Sequence, residues 1–177
     1  KPCKTPLDSY ECRHGMNYTR ITGSKNGVEA SVLFFVPLHT WAEVQKLTLK
    51  NTAKEAKTLK LFSFTEWCLW NAATDMEYFQ RNWSTGEVEI ENGSTIYHKT
   101  EYKERRNHYA FYSVNTPIQG FDTDRETFIG LYNEFRDPQN VLKGKPSNSI
   151  AHGWSPIASH YIEVELQAGE SKDFIFL

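Results

Sequence analysis

The sequence has little cysteine, no excess charge of either sign and no long apolar run. Its 177 residues include three cysteines, Cys3, Cys12 and Cys68, and no Cys-x-x-Cys pair, which fits neither a disulfide framework nor a structural zinc site. We therefore expect reduced thiols in a cytoplasmic protein. Lysine and arginine number 20 against 22 aspartates and glutamates, a balance that argues against a nucleic-acid-binding surface. No apolar stretch approaches the roughly 20 residues that span a bilayer.

Sequence motifs for metal or nucleophilic catalysis are also scarce. The six histidines form no His-Glu-x-x-His pair, and the chain contains neither a Gly-x-Ser-x-Gly motif nor a glycine-rich phosphate loop. The nearest arrangement places His152 close in sequence to Ser159 and His160. A serine–histidine dyad needs a third orienting group and a strand–turn–helix context, so a metal or nucleophile site here is disfavoured.

Carboxylates recur at Asp122, Asp124 and Glu126. Paired acids held roughly 5–9.5 Å apart perform acid–base work on glycosidic bonds. Arg125 stands among them and favours the ionised forms, which cannot donate a proton. We interpret this group as structural.

Alternation of apolar residues with a period of two dominates the chain. It predicts a strand over 28–36, and apolar residues on both faces of 59–70 indicate a strand covered on both sides. Helices are predicted only over 125–135 and 138–143, and both are brief. Further strands are predicted over 47–50, 58–64, 86–91, 94–99, 108–114, 161–166 and 174–177. Many short strands at close spacing predict an all-β fold, an antiparallel β-sandwich with one or two short helical turns.

Three connections are interpreted as turns between neighbouring strands. Asn92-Gly93 is a strong hairpin signal because both positions of a type I′ turn need a positive φ. The polar stretch 51–57 is interpreted as a hairpin connection, with a helical turn as the alternative. The segment 168–170 joins the last two strands in the same way.

Residues 70–87 interrupt the strand pattern with a long aromatic and polar segment. Aromatic faces stack on the CH faces of sugars, and amide and guanidinium groups donate hydrogen bonds to hydroxyls. Asn71, Gln80, Arg81, Asn82 and Trp83 offer that mixture. From spacing alone, a structural loop whose aromatic side chains pack inward is the favoured alternative.

The densest run of charge lies at 99–106 and holds four cations and two carboxylates. Arg105 and Arg106 could bind an anion such as phosphate, because guanidinium groups bind it bidentately. A solvated strand edge or ion pairs across an interface are the favoured interpretations.

Several long, irregular strings closely resemble cellobiose phosphorylases, members of the inverting disaccharide phosphorylases of glycoside hydrolase family 94. The likeness covers nearly the whole chain. The strings that carry it are Ser9-Tyr-Glu-Cys-Arg-His-Gly15, Phe79-Gln80-Arg81-Asn82, Ser84-Thr-Gly-Glu-Val-Glu89, Arg105-Arg-Asn-His-Tyr-Ala-Phe-Tyr112 and Gly120-Phe-Asp122, with Pro156-Ile-Ala-Ser-His160.

The resemblance implies a supersandwich of the galactose-mutarotase type that precedes an (α/α)₆ barrel in a homodimeric enzyme. Such enzymes convert cellobiose and inorganic phosphate to α-glucose 1-phosphate and glucose, with phosphate as a co-substrate and no cofactor or metal. We expect residues 1–177 to form a single domain, most of that N-terminal sandwich, cut from a longer protein whose first strands lie upstream. The barrel with its catalytic aspartate is absent from this chain, so no catalytic residue is assigned, and the fragment alone is expected to be inactive.

The family's Phe-Gln-Arg motif falls on Phe79, Gln80 and Arg81, which implies contact with the acceptor glucose. Asn71, at the other end of the same segment, would line the entrance. Alternatives are a free-standing carbohydrate-binding module, a domain of a cellodextrin or chitobiose phosphorylase, and a purely structural dimerisation domain. No membrane and no nucleic acid is expected as a partner.

Overall fold

A computed structural model describes residues 5–67, 73, 76–77, 86–101, 106–153 and 155–177. These residues form antiparallel sheets and two short helices, which confirms the predicted all-β class. The strands are β1 (Ser9–His14), β2 (Tyr18–Lys25), β3 (Val28–Phe35), β4 (Val44–Asn51), β5 (Lys57–Phe62), β6 (Thr65–Glu66), β7 (Gly86–Glu91), β8 (Ser94–Glu101), β9 (Arg106–Tyr112), β10 (Gly120–Asp124), β11 (Pro156–Leu166) and β12 (Ser171–Phe176). The helices are α1 (Arg125–Ile129) and α2 (Gln139–Lys143).

The chain divides into two compact units. The sheet unit comprises 5–60, 113–117 and 163–177, and the loop unit comprises 61–112 and 118–162. No helix among the residues that the structure describes is both long and apolar enough to cross a membrane.

The sheet unit contains a five-stranded sheet in the order β1–β2–β3–β4–β12. Asn26 and Gly27 close the β2–β3 hairpin with φ values of 50° and 71°, the positive φ that such a turn requires. β4 is paired on both edges, with β3 and with β12, and four of its eight residues are buried. The buried apolar residues of these strands are Val44, Leu47, Leu49, Phe174 and Phe176.

Asn51, at the end of β4, is fully buried, and its side chain forms hydrogen bonds with backbone groups of the turn that follows. Its Nδ2 group donates to the carbonyls of Glu55 and Leu166 at 2.8 and 3.0 Å, and its Oδ1 accepts from the Ala53 amide at 3.0 Å. A buried amide is tolerated only when its donors and acceptors are paired, and here they fix where the chain leaves β4.

The loop unit contains a three-stranded sheet, β7–β8–β9, and a second sheet in the order β10–β11–β5, with β6 also pairing with β11. Asn92 and Gly93 have φ values of 50° and 77° between Glu91 and Ser94, which pair directly. The predicted hairpin is therefore confirmed.

The apolar core of the loop unit lies on one side of β11. Phe128, Ile129 and Ile157 form a buried cluster, against which Phe62 and Phe64 pack. Phe64 lies 5.3 Å from Phe128, measured between ring centroids. β11 is buried at seven consecutive positions from Pro156 to Ile162, as expected for a strand covered on both faces.

Two of the predicted hairpins are wrong. β4 and β5 lie in different sheets, and so do β11 and β12, so the turns at 51–57 and 168–170 carry the chain from one sheet to another. The strand predicted over 59–70 divides in its described part into β5 and β6. The helix predicted over 125–135 ends at Ile129, where Gly130 adopts a φ of 99°.

Candidate functional site

The residues predicted to contact a sugar lie in the segment that separates β6 from β7. Asn71, Phe79, Gln80 and Arg81 all fall outside the described residues, as do Asn82 and Trp83. Their role as acceptor contacts therefore stays a prediction. What the structure defines is the support on either side of this segment.

The two ends of the segment are held together by packing. Trp67, just before it, packs against a buried pair formed by Val88, just after it, and Ala151. Glu87 also forms an antiparallel bridge with His152. The residues that flank the segment on both sides are therefore fixed on one buried base.

The strand that leads into the segment is fixed by an ion pair and aromatic contacts. Arg125 Nε lies 2.6 Å from Glu66 Oε1, and its guanidinium group lies 5.1 Å from the centre of the Phe135 ring. Phe135 in turn meets Phe64 edge to face at 5.1 Å. Both members of the ion pair are partly buried, so solvent screens their attraction less than it screens that of a fully exposed pair.

Asp122, on β10, is a fully buried carboxylate surrounded by donors. Asn140 Nδ2 donates to its Oδ2 at 2.8 Å, and Ser149 Oγ donates to its Oδ1 at 2.7 Å. The backbone amides of Ser147 and Ser149 donate to the same carboxylate at 3.2 Å. Asp122 thus ties α2 and the segment 147–149 to the sheet.

The neighbouring acids have local roles. Asp124 caps α1 by accepting a hydrogen bond from the Thr127 amide at 2.7 Å, as an N-cap residue does. Glu126 is exposed in the first turn of that helix, where a negative charge is stabilising. These contacts agree with the structural interpretation of the carboxylate group.

A buried polar cluster lies between β11 and the three-stranded sheet. His160 is fully buried, and its Nε2 lies 2.9 Å from Thr95 Oγ1. Its ring centre lies 5.0 Å from that of Tyr112, and its backbone amide donates to Ser63 Oγ at 3.0 Å. We call Ser63, Thr95, Tyr112 and His160 the His160 cluster.

Burial sets the ionisation of this cluster. Desolvation lowers the pKa of His160 to about 4, because an imidazolium ion there would lose its hydration. Among the described residues, Nδ1 of His160 has no hydrogen-bond partner. No described acceptor would therefore stabilise the imidazolium form, in which both ring nitrogens carry a proton. Desolvation likewise raises the pKa of Tyr112 to about 12, against a smaller opposing effect of its hydrogen bond with Ser63. Both side chains are therefore neutral near pH 7.

This arrangement does not resemble a nucleophile or metal site. Ser159 and His160 are consecutive on β11, and consecutive strand residues point to opposite faces. In the part of the chain that the structure describes, no three His, Cys, Asp or Glu side chains lie close enough to share a metal ion. The described cysteine, Cys12, is a free thiol.

The fold defines an all-β domain of antiparallel sheets. A putative kojibiose phosphorylase from the human microbiome superposes on 98% of this chain with a TM-score of 0.56 at 9% identity, using 19% of its own length. At that identity the likeness concerns the fold alone. The family model for the glycosyl hydrolase 94 supersandwich domain matches residues 1–177, and the chain belongs to that family.

Curated relatives extend the comparison. A solabiose phosphorylase of Paenibacillus borealis is 30% identical over 152 residues, which cover 85% of this chain and 19% of that protein. An N,N'-diacetylchitobiose phosphorylase of Vibrio proteolyticus is 28% identical over 184 residues, which cover 100% of this chain and 22% of that protein. The chain therefore spans about a fifth of the length of these relatives.

We predict that Asp122→Ala lowers the free energy of unfolding by about 3 kcal/mol, because it leaves several buried donors without an acceptor. For a domain of this size the corresponding fall in Tm is about 6–12 °C. Calorimetry or thermal circular dichroism measures it. The matched control is Glu126→Ala, the exposed acid of the same motif, which should change stability by less than about 1 kcal/mol. Equal effects of the two variants would contradict the structural role of Asp122.

We predict that the chain loses stability in acid through His160. The unfolded state takes up a proton near pH 6.5, whereas the folded state does so only near pH 4, so the unfolded state binds more protons between these values. The contribution of neutral His160 to the free energy of unfolding is complete above pH 6.5. It decreases by up to about 3 kcal/mol as the pH falls to 4.

Urea unfolding at a series of pH values tests this prediction. The variant His160→Gln should show a shallower acid dependence than the parent, whereas His14→Gln, at an exposed position, should retain the parent's slope. An unchanged slope in His160→Gln would show that the buried imidazole does not titrate as described.

Proposed function

We propose that this chain is the β-sandwich domain of an inverting disaccharide phosphorylase that acts on cellobiose. The observation that carries the proposal is the match of the supersandwich family model to residues 1–177. The phosphorylases among its relatives, named for solabiose and for N,N'-diacetylchitobiose, support phosphorolysis of a disaccharide as the reaction class. The cellobiose assignment rests on the motif resemblance, and chitobiose is the second candidate because two of the relatives carry that name.

The proposed reaction is a single displacement. An oxygen of inorganic phosphate forms a bond to the anomeric carbon while the bond from that carbon to the glycosidic oxygen breaks. An aspartate of the (α/α)₆ barrel supplies the proton that the departing oxygen takes up. The products are α-glucose 1-phosphate and glucose, and inversion follows from attack on the face opposite the leaving group. Phosphate is the co-substrate, and no further cofactor is proposed.

In this scheme the sandwich contributes the acceptor side of the cleft. Gln80 and Arg81 donate hydrogen bonds to hydroxyls of the departing glucose, Phe79 contacts the same sugar and Asn71 lines the entrance. The packing of Trp67 on Val88 and Ala151 supports this role, because both ends of the segment that carries these residues start from one buried base. We place the complete enzyme in the cytoplasm as a homodimer.

The test uses the complete enzyme with cellobiose and phosphate. We predict that Arg81→Ala lowers kcat/KM by about 10- to 150-fold, which corresponds to about 1.5–3 kcal/mol for the loss of a charged hydrogen bond. Initial rates of glucose 1-phosphate formation measure it.

The control replaces Arg136, an exposed arginine paired only loosely with Glu134 at 3.7 Å. Arg136→Ala should leave kcat/KM within about twofold of the parent, since surface ion pairs contribute little. A value for Arg81→Ala that equals the parent's would refute the acceptor contact.

A further inference from the structure

The outer face of the three-stranded sheet exposes two aromatic side chains. Tyr109 and Phe111 of β9 are 66% and 56% exposed, whereas Tyr112 is buried. Residues two apart on a strand share a face, so both rings lie on the side opposite the His160 cluster.

A concavity of about 480 Å³ lies beside these rings. Its walls come from the β7–β8 hairpin, through Glu91, Asn92 and Ser94, and from β9, through Tyr109 and Phe111 with Ala110 between them. The volume falls within the range of small-molecule sites, about 300–1,000 Å³. It is open on one side, which suits a ligand that stays partly in solvent.

The lining has the chemistry of a saccharide site. Two aromatic rings stand beside a carboxylate, an amide and a hydroxyl, so one ligand can stack its CH face and donate hydroxyl protons at the same time. Among the lining residues that the structure describes there is no lysine or arginine, and Glu87 and Glu89 are exposed on the same edge strand. The carboxylates of Glu87, Glu89 and Glu91 disfavour anionic ligands such as phosphate or a uronic acid.

We propose that this concavity binds a neutral oligosaccharide, with a sugar ring on Tyr109 and Phe111 and its hydroxyls donating to Glu91 and Asn92. The choice of a saccharide over other neutral ligands rests on the proposed function. A protein partner fits less well, because a stable protein interface needs about 800 Å² on each side and the lining that the structure describes amounts to six residues. The site shares no residue with the predicted acceptor contacts.

The experiment is a titration of the complete protein in phosphate-free buffer, in which nuclear magnetic resonance measures the chemical shifts of the backbone amides. Cellobiose and N,N'-diacetylchitobiose should move the signals of residues 91–94 and 109–111, and inorganic phosphate should not. Replacing both rings, Tyr109→Ala with Phe111→Ala, should weaken binding at least tenfold. Glu91→Gln, which keeps the shape of the site, should weaken it by a smaller factor.

The matched control is Tyr132→Ala, at an exposed tyrosine outside the concavity, and it should bind like the parent. The proposal is overturned if neither sugar moves these signals, if the double variant binds like the parent, or if phosphate competes. It is also overturned if the signals move with protein concentration alone, which would mean that a second copy covers the face.

These outcomes are separate from those of the proposed function. Phosphorolysis by the complete enzyme with no binding at this face would remove the second site and leave the enzyme assignment intact. Saccharide binding at this face by a protein that performs no phosphorolysis would support the second site and contradict the enzyme assignment.

Discussion

Burial of β11 on both faces is the constraint on which the loop unit depends. One face of the strand packs under the aromatic cluster of Phe62, Phe64 and Phe128, and the other meets the three-stranded sheet through His160, Thr95 and Tyr112. Burial on both faces makes a charged imidazole costly, which explains why His160 is neutral. The hydroxyl of Thr95 pairs with its Nε2, and the hydroxyl of Ser63 accepts from its backbone amide.

The same burial positions the segment proposed to carry the acceptor contacts. β6 pairs with β11, and Trp67, directly after β6, packs against Val88 at the start of the three-stranded sheet. The residues on either side of the segment therefore pack together, and Arg125 forms an ion pair with Glu66 just before it. The polar groups described around these residues make structural contacts, such as the Arg125–Glu66 ion pair and the hydrogen bond from Asn140 to Asp122.

The sequence predicted local structure well and long-range pairing poorly. Asn92-Gly93 specifies its own hairpin, and alternation identified β3 almost to the residue. The turns after β4 and β11 were misassigned because a turn motif does not reveal which sheet receives the next strand. β1 and β2 were missed because their outward faces are polar, although Asn26-Gly27 was a usable signal.

Burial of Asp122 could not be foreseen, since its donors come from residues 18 to 27 positions away. The acceptor residues came from resemblance to a family, and spacing alone favoured the opposite interpretation.

The most direct measurement is product analysis of the complete protein incubated with cellobiose in the presence and absence of inorganic phosphate. Phosphorus and proton magnetic resonance distinguish α-glucose 1-phosphate from its β anomer and from free glucose. The account predicts cleavage only when phosphate is present, with equal amounts of α-glucose 1-phosphate and glucose. Release of glucose without phosphate, formation of the β anomer, or no cleavage of cellobiose or chitobiose would contradict it.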